Sequence, residues 1–274
     1  MKKYFNFKLF IIFYLLLNPQ VSNAIKIDNY NIGDIVKDYL VIDNKKKIEL
    51  PEGDWELYGK YNYTEYGLKI SCVDLLQAEK KEILGSFEIC FASMAGVYVS
   101  YLDSAIIEAV FKDPYDGCYQ RPEYFVLEFY RKGSTHNCFM VSHLDVMKEI
   151  YNPDDPSENE FRASIRKWLR ENPEVKVPPI MLSSSHMYFS RMVSGYWTTV
   201  GYAINPKILN APTTKFLNED TSEYHKYNIE NFPEHKKIME QWISISANRH
   251  SEFEKIFNSK KRHRLKLDKY ILNK

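Results

Sequence analysis

Seven His, four Cys and a short Ser run are the residues whose types and spacing could do chemistry. His143 and Asp145 form a His-x-Asp pair, the arrangement of a general base oriented by a carboxylate. On a strand the two share a face; at a helix start they do not. The competing reading is that Asp145 favours the start of a helix over 144–151 through the helix dipole. Ser183, Ser184 and Ser185 precede His186 and bring hydroxyls beside an imidazole. A serine nucleophile of the elbow type needs G-x-S-x-G, which the chain lacks. Ser185 and His186, adjacent on a strand, point to opposite faces and cannot form a dyad. The run reads more simply as a Ser-rich exposed strand. The catalytic candidates are therefore His143, Asp145 and His186, each with a structural alternative. His225 and His235 stand ten residues apart without HExxH or other metal spacing. The Tyr224-His225 step reads as a loop docked by one hydrogen bond.

Cys72, Cys90, Cys118 and Cys138 contain no C-x-x-C pair, so neither a metal nor another cofactor is expected. Their even number allows three disulfide connectivities. A hairpin centred on Lys81 would place Cys72 directly opposite Cys90, close enough to bridge. Cys118 would then pair with Cys138. The competing reading is four buried or free thiols.

Export permits disulfides, and the N-terminus has the pattern for it. Lys2, Lys3 and Lys8 precede nine apolar residues over 9–17, and Ser22-Asn23-Ala24 offers a cleavage site. Nine helical residues rise about 14 Å, roughly half a hydrocarbon core, so a signal peptide is expected rather than an anchor. The chain divides into a signal peptide over 1–24, one globular domain over 25–259 and a basic tail over 260–274. The net charge of +1 hides this division. The leader carries +3, the body −8 and the tail +6. A broadly basic nucleic-acid binder is excluded. In the tail, Lys260, Lys261, Arg262, Arg264 and Lys266 interleave with Leu265 and Leu267, a pattern that suits contact with anionic lipid.

Strands are expected over 55–63, 68–78, 83–92, 124–130, 137–142, 180–192 and 195–205. The run 124–130 is almost wholly apolar, which predicts a strand covered on both faces. Residues 25–50 read as a polar lead-in. A helix is expected over 157–171, where Ser157 and Glu160 form a capping box, and a longer one over 234–258. Helices come between and after runs of strands. The fold class is α+β, mostly antiparallel sheet with a mid-chain helix and a long C-terminal helix.

Several of these segments together resemble a family of uncharacterised exported proteins of proteobacteria. The residues are the leader, Leu50-Pro51-Glu52-Gly53-Asp54-Trp55, Tyr202-Ala203-Ile204-Asn205-Pro206, Ser222-Glu223-Tyr224-His225-Lys226, Trp242 and Glu254-Lys255-Ile256-Phe257. Tyr224 stands where that family usually has Trp, and Ile256 where it has Gly. The resemblance implies export and a shared fold, and no chemistry. With 21 Tyr, 16 Phe and 4 Trp, the chain has surfaces suited to sugars, peptides or protein partners, or else a composition bias. The expected function is an exported, non-catalytic binding or structural module of the cell envelope, its partner an envelope protein or ligand. The alternatives are a hydrolase using His143, His186 or Asp145, and peripheral membrane association through the tail.

Overall fold

The computed structural model describes residues 30–257 except 43–45, 66–67, 94–117, 120, 122, 133–134, 152–159, 191–195, 215–217 and 219. The expected leader, the basic tail and the capping Ser157 lie outside the described residues. Among the described residues ten strands run β1 (Ile35–Val36), β2 (Tyr39–Ile42), β3 (Lys46–Glu49), β4 (Trp55–Glu65), β5 (Leu68–Glu79), β6 (Glu82–Ser93), β7 (Val126–Lys132), β8 (Thr135–Asp145), β9 (Ile180–Ser190) and β10 (Tyr196–Ile204). The α-helices among the described residues are α1 (Val146–Tyr151), α2 (Glu160–Glu171) and α3 (Pro233–Phe257). Eight strands form one antiparallel sheet in the order β1-β4-β5-β6-β10-β9-β8-β7, and β2 pairs with β3 apart from it. This is the α+β architecture expected from the order of the elements.

The β5–β6 hairpin turns on Lys80 and Lys81, both at positive φ (52° and 63°). A two-residue turn with both central residues left-handed has the twist that antiparallel strands need. It pairs Glu79 with Glu82 and Ala78 with Ile83. A bulge then admits Leu84 as an extra residue, so Gln77 faces Gly85. From there the register places Asp74 opposite Glu88 and Cys72 opposite Cys90. A second bulge, between Leu57 and Gly59, leaves Tyr58 unpaired and puts Gly59 opposite Asp74. Both bulges move the register by one residue, which on a strand decides which face a side chain takes.

One face of the sheet packs against α3. Trp55, Phe87, Ile89, Val200 and Tyr202 meet Met239, Trp242 and Phe253 in one buried cluster. Each such side chain contributes about 1.5–3 kcal/mol on burial. Trp55 is fixed by a bond from its Nε1 to the Pro51 carbonyl at 2.8 Å. The opposite face has two parts. At one end Ile165 and Trp168 of α2 and Ile150 of α1 pack on Tyr58, Leu76 and Met181. At the other end stand the two disulfides.

One expectation holds in part and one is corrected. Most of the run 124–130 lies in β7, the outermost strand of the sheet among the described residues, and its apolar side chains serve both faces: Phe125 and Val126 are buried in the α3-side cluster, while Leu127 and Phe129, half-buried, pack against Cys118 and Cys138. The stretch 25–50 is no mere lead-in: it supplies β1, β2 and β3, with Leu40, Ile42 and Ile48 fully buried in the α3-side core.

Candidate functional site

On the face of the sheet away from α3, one row of register partners reads Gly59, Asp74, Glu88, Gly201 across β4, β5, β6 and β10. Two carboxylates thus stand side by side with a glycine on each flank. A Cβ on Gly59 would lie 2.4 Å from Asp74 Oδ2, and one on Gly201 would lie 3.4 Å from Glu88 Oε2. The Asp74 carboxyl therefore occupies the space that a side chain at position 59 would fill.

Asp74 is 0% exposed, and neither of its carboxyl oxygens has a hydrogen-bond partner among the described residues. An isolated buried carboxylate is costly, and a like charge beside it raises that cost. Burial first, and then the Glu88 charge, hold Asp74 well above the usual carboxylate range. Burial also pushes Glu88 up. The Tyr61 hydroxyl, which donates to Glu88 Oε1 at 3.2 Å, partly offsets this shift, and Glu149 adds to it. The neighbouring Tyr58 does not serve the pair, because its hydroxyl bonds the Ser86 side chain. The arrangement has one chemical consequence. The two carboxyls cannot both stay ionised without a positive partner, so they share a proton or accept a cation.

The next row of the same face is Tyr61, Cys72, Cys90. Cys72 and Cys90 are joined, as are Cys118 and Cys138, so all four cysteines are in disulfides with the expected pairing. Cys90 Sγ lies 3.5 Å from Glu88 Oε1. A disulfide sulfur carries no proton, so this is a contact without a hydrogen bond.

A second polar group lies between the sheet and α3. Ser184 Oγ is 3.1 Å from His186 Nε2, His186 Nδ1 is 3.1 Å from His250 Nδ1, and His250 Nε2 is 3.2 Å from Asn137 Oδ1. Asn137 Nδ2 donates to Glu254 Oε1 at 2.9 Å. His250 Nδ1 also meets the Tyr188 hydroxyl at 2.8 Å. The Tyr188 hydroxyl donates to the His250 carbonyl at 2.8 Å. All of these residues are buried. Burial and then the His250 charge push His186 well below the usual imidazole range, so it stays neutral. The network stitches α3 to β8 and β9.

The three catalytic candidates are not brought together. His143 is buried on β8, where its ring meets the edge of His225 at 5.7 Å. Asp145 accepts from the Lys148 N–H at 3.0 Å and caps α1, as its alternative reading held. His186 belongs to the buried network. The Ser run is not an exposed strand: β9 is interior to the sheet and Ser184 is buried. Ser184, two residues from His186 and on its face, makes the bond that the adjacent Ser185 cannot. His225 Nδ1 accepts from the Tyr227 N–H at 3.3 Å, and Tyr224 packs fully buried on the His235 ring. A surface groove of about 410 Å³ beside β2 and β3 is lined by Asp38, Tyr39, Lys47, Glu49, Leu50 and Glu52, and holds none of the candidates. Asp74 and Glu88 escaped the sequence reading, although the register that pairs Cys72 with Cys90 pairs them as well.

The fold and site define an antiparallel α+β protein with two disulfides and an acidic pair of which Asp74 is buried and Glu88 half-buried. Among the described residues no helix is long and apolar enough to cross a membrane. Comparison with protein-family models finds no match, and neither does comparison with curated proteins. A solved structure to which the chain is similar is that of a possible transcriptional regulator, YydK, from Bacillus subtilis. The identity is 10% and the TM-score 0.24, over 56% of this chain and 57% of that one. The chain thus spans a little over half the length of that protein, and a likeness this slight carries no argument.

Proposed function

We propose that the protein is an exported, non-catalytic binding module of the cell envelope that receives a positively charged group at Asp74 and Glu88. The observation that carries this reading is the buried Asp74 carboxyl, without a hydrogen-bond partner among the described residues and directly opposite Glu88. A cation held there supplies the charge and the electron-pair acceptor that the fold does not. Export is supported by two disulfides, which persist in oxidising compartments, and by the leader-like N-terminus. Membership of the exported proteobacterial family belongs to the same proposal. It rests on the Leu50-to-Trp55 turn and the Trp242 helix.

The test is thermal unfolding of the oxidised protein with calcium, magnesium or spermidine in excess. At about 100 times the Kd a ligand adds roughly 2.7 kcal/mol, a rise of several degrees. The expected result is such a rise with at least one of these cations, abolished in Asp74→Asn and Glu88→Gln. No rise with any of them overturns the proposal.

A further inference from the structure

We propose that the Cys72–Cys90 disulfide has a reduced counterpart, in which Cys72, Cys90, Glu88 and Asp74 hold a thiophilic divalent cation of the zinc class. The inference rests on the reading of Asp74 and Glu88 as acceptors of positive charge, and it extends the site to two sulfurs. Four side chains form two consecutive facing pairs on one face of β5 and β6: Cys72 with Cys90, and Asp74 with Glu88. In sequence they are a Cys-x-Asp on one strand and a Glu-x-Cys on its antiparallel partner. One ligand atom from each of Cys72, Glu88 and Cys90 lies within 4.8 Å of the others. A tetrahedral zinc with sulfur and carboxylate donors has ligand atoms about 3.3–3.8 Å apart, so the three close on a metal once the Cys72–Cys90 bond opens, and Asp74, whose carboxyl lies beside Gly59, must turn toward them to supply the fourth ligand. Asp74 supplies the independent observation, being fully buried with both oxygens unpartnered among the described residues.

The neighbouring residues suit the role. The Tyr61 hydroxyl donates to Glu88 Oε1, the kind of bond that aims a ligating carboxylate. Gly59 leaves room for the Asp74 carboxyl. The chemistry balances as follows. A dithiol reductant gives two electrons and two protons to the Cys72–Cys90 bond and is itself oxidised to a disulfide. The two thiols then lose their protons to solvent as the cation binds, because thiolate is the ligating form. Reoxidation by thiol–disulfide exchange with a small-molecule disulfide, which takes up the two electrons and leaves as two thiols, removes both sulfur ligands at once and ejects a thiophilic metal, leaving the carboxylate pair. The same four residues therefore alternate between a covalent staple and a metal staple.

The experiment uses the whole protein, reduced with a phosphine, freed of reductant under anaerobic conditions and titrated with cobalt(II) chloride, then zinc chloride. The expected result is a thiolate-to-cobalt charge-transfer band that saturates at one cobalt per chain and is bleached by zinc. The band persists in Cys118→Ser/Cys138→Ser and is absent in Cys72→Ser/Cys90→Ser. Asp74→Asn and Glu88→Gln each weaken cobalt binding by at least about tenfold. Absence of the band in the reduced protein, or its survival without Cys72 and Cys90, overturns the proposal. If reduction unfolds the chain, zinc must restore the sheet signal in circular dichroism, and failure to do so overturns it equally. Binding of calcium or spermidine by the oxidised protein is read separately, so the two readings fail independently.

Discussion

The carboxyl groups of Asp74 and Glu88 stand opposite one another on paired strands, and no described residue donates a hydrogen bond to Asp74. Their pKa values are raised, so the folded protein binds protons that the unfolded chain has released above about pH 4. Stability from this pair is complete below that pH and is lost as pH rises through the raised values. Asp74→Asn removes the like charge. We expect it to stabilise the cation-free protein by about 1–3 kcal/mol at neutral pH and to flatten this loss. Urea unfolding between pH 4 and 8 measures both; an unchanged slope would remove the shared-proton account.

Gly59 and Asp74 are predicted to be energetically coupled. Gly59→Ala places a methyl 2.4 Å from the Asp74 carboxyl and forces it to move. Alone it costs about 1–3 kcal/mol, and in an Asp74→Ala background most of that cost disappears. A double-mutant cycle in urea reads the coupling. Equal costs in both backgrounds would show that the glycine answers to something other than Asp74.

His186 predicts a pH effect of the opposite sign. It stays neutral when folded, whereas the unfolded chain protonates near pH 6.5. The unfolded state then binds more protons, so stability falls as pH drops below about 6.5, by up to about 1.4 kcal/mol per unit. The Asp74–Glu88 pair opposes this over the same range. The effect should therefore be cleanest in Asp74→Asn, and it should shrink when His186→Gln is added, the remainder coming from His235, which burial also holds below the usual imidazole range.

Lys80 and Lys81 occupy left-handed backbone that favours Asn and Gly. Lys80→Asn/Lys81→Gly should raise stability by about 1–2 kcal/mol while the strand register is kept. Chemical denaturation gives the gain, and retention of the Cys72–Cys90 bond shows that the register is unmoved.

Much of this hairpin was legible in the sequence, and the reason is arithmetic. Cys72 and Cys90 are equidistant from Lys81, and the pairing inferred from that centre is the observed one. The real turn is centred between Lys80 and Lys81, and the Leu84 bulge restores the one-residue difference. A bulge leaves no mark in hydrophobic alternation, so the pairing was readable and its cause was not. Asp74 and Glu88 follow from the same count, but two acids 14 residues apart match no linear motif. The β2–β3 hairpin was hidden by Lys45, Lys46 and Lys47, which mask the buried positions Leu40, Ile42 and Ile48. Ser184 and His186 were within reach of a period-two reading, whereas His250 joins them only through the docking of α3.

The place of β10 between β6 and β9 sets a schedule for folding. The β4–β5–β6 meander closes on local turns and can be locked by a disulfide spanning 18 residues. Its outer edge then waits for Tyr196 to reach Ser93, a contact about a hundred residues away. Local pieces form early and such distant pairings late. Until β10 is made, β6 presents an unpaired edge to any other extended chain. A chain stalled before residue 196 is therefore the form most prone to join its copies edge to edge, and the last sheet strand to be synthesised is also the one that protects it.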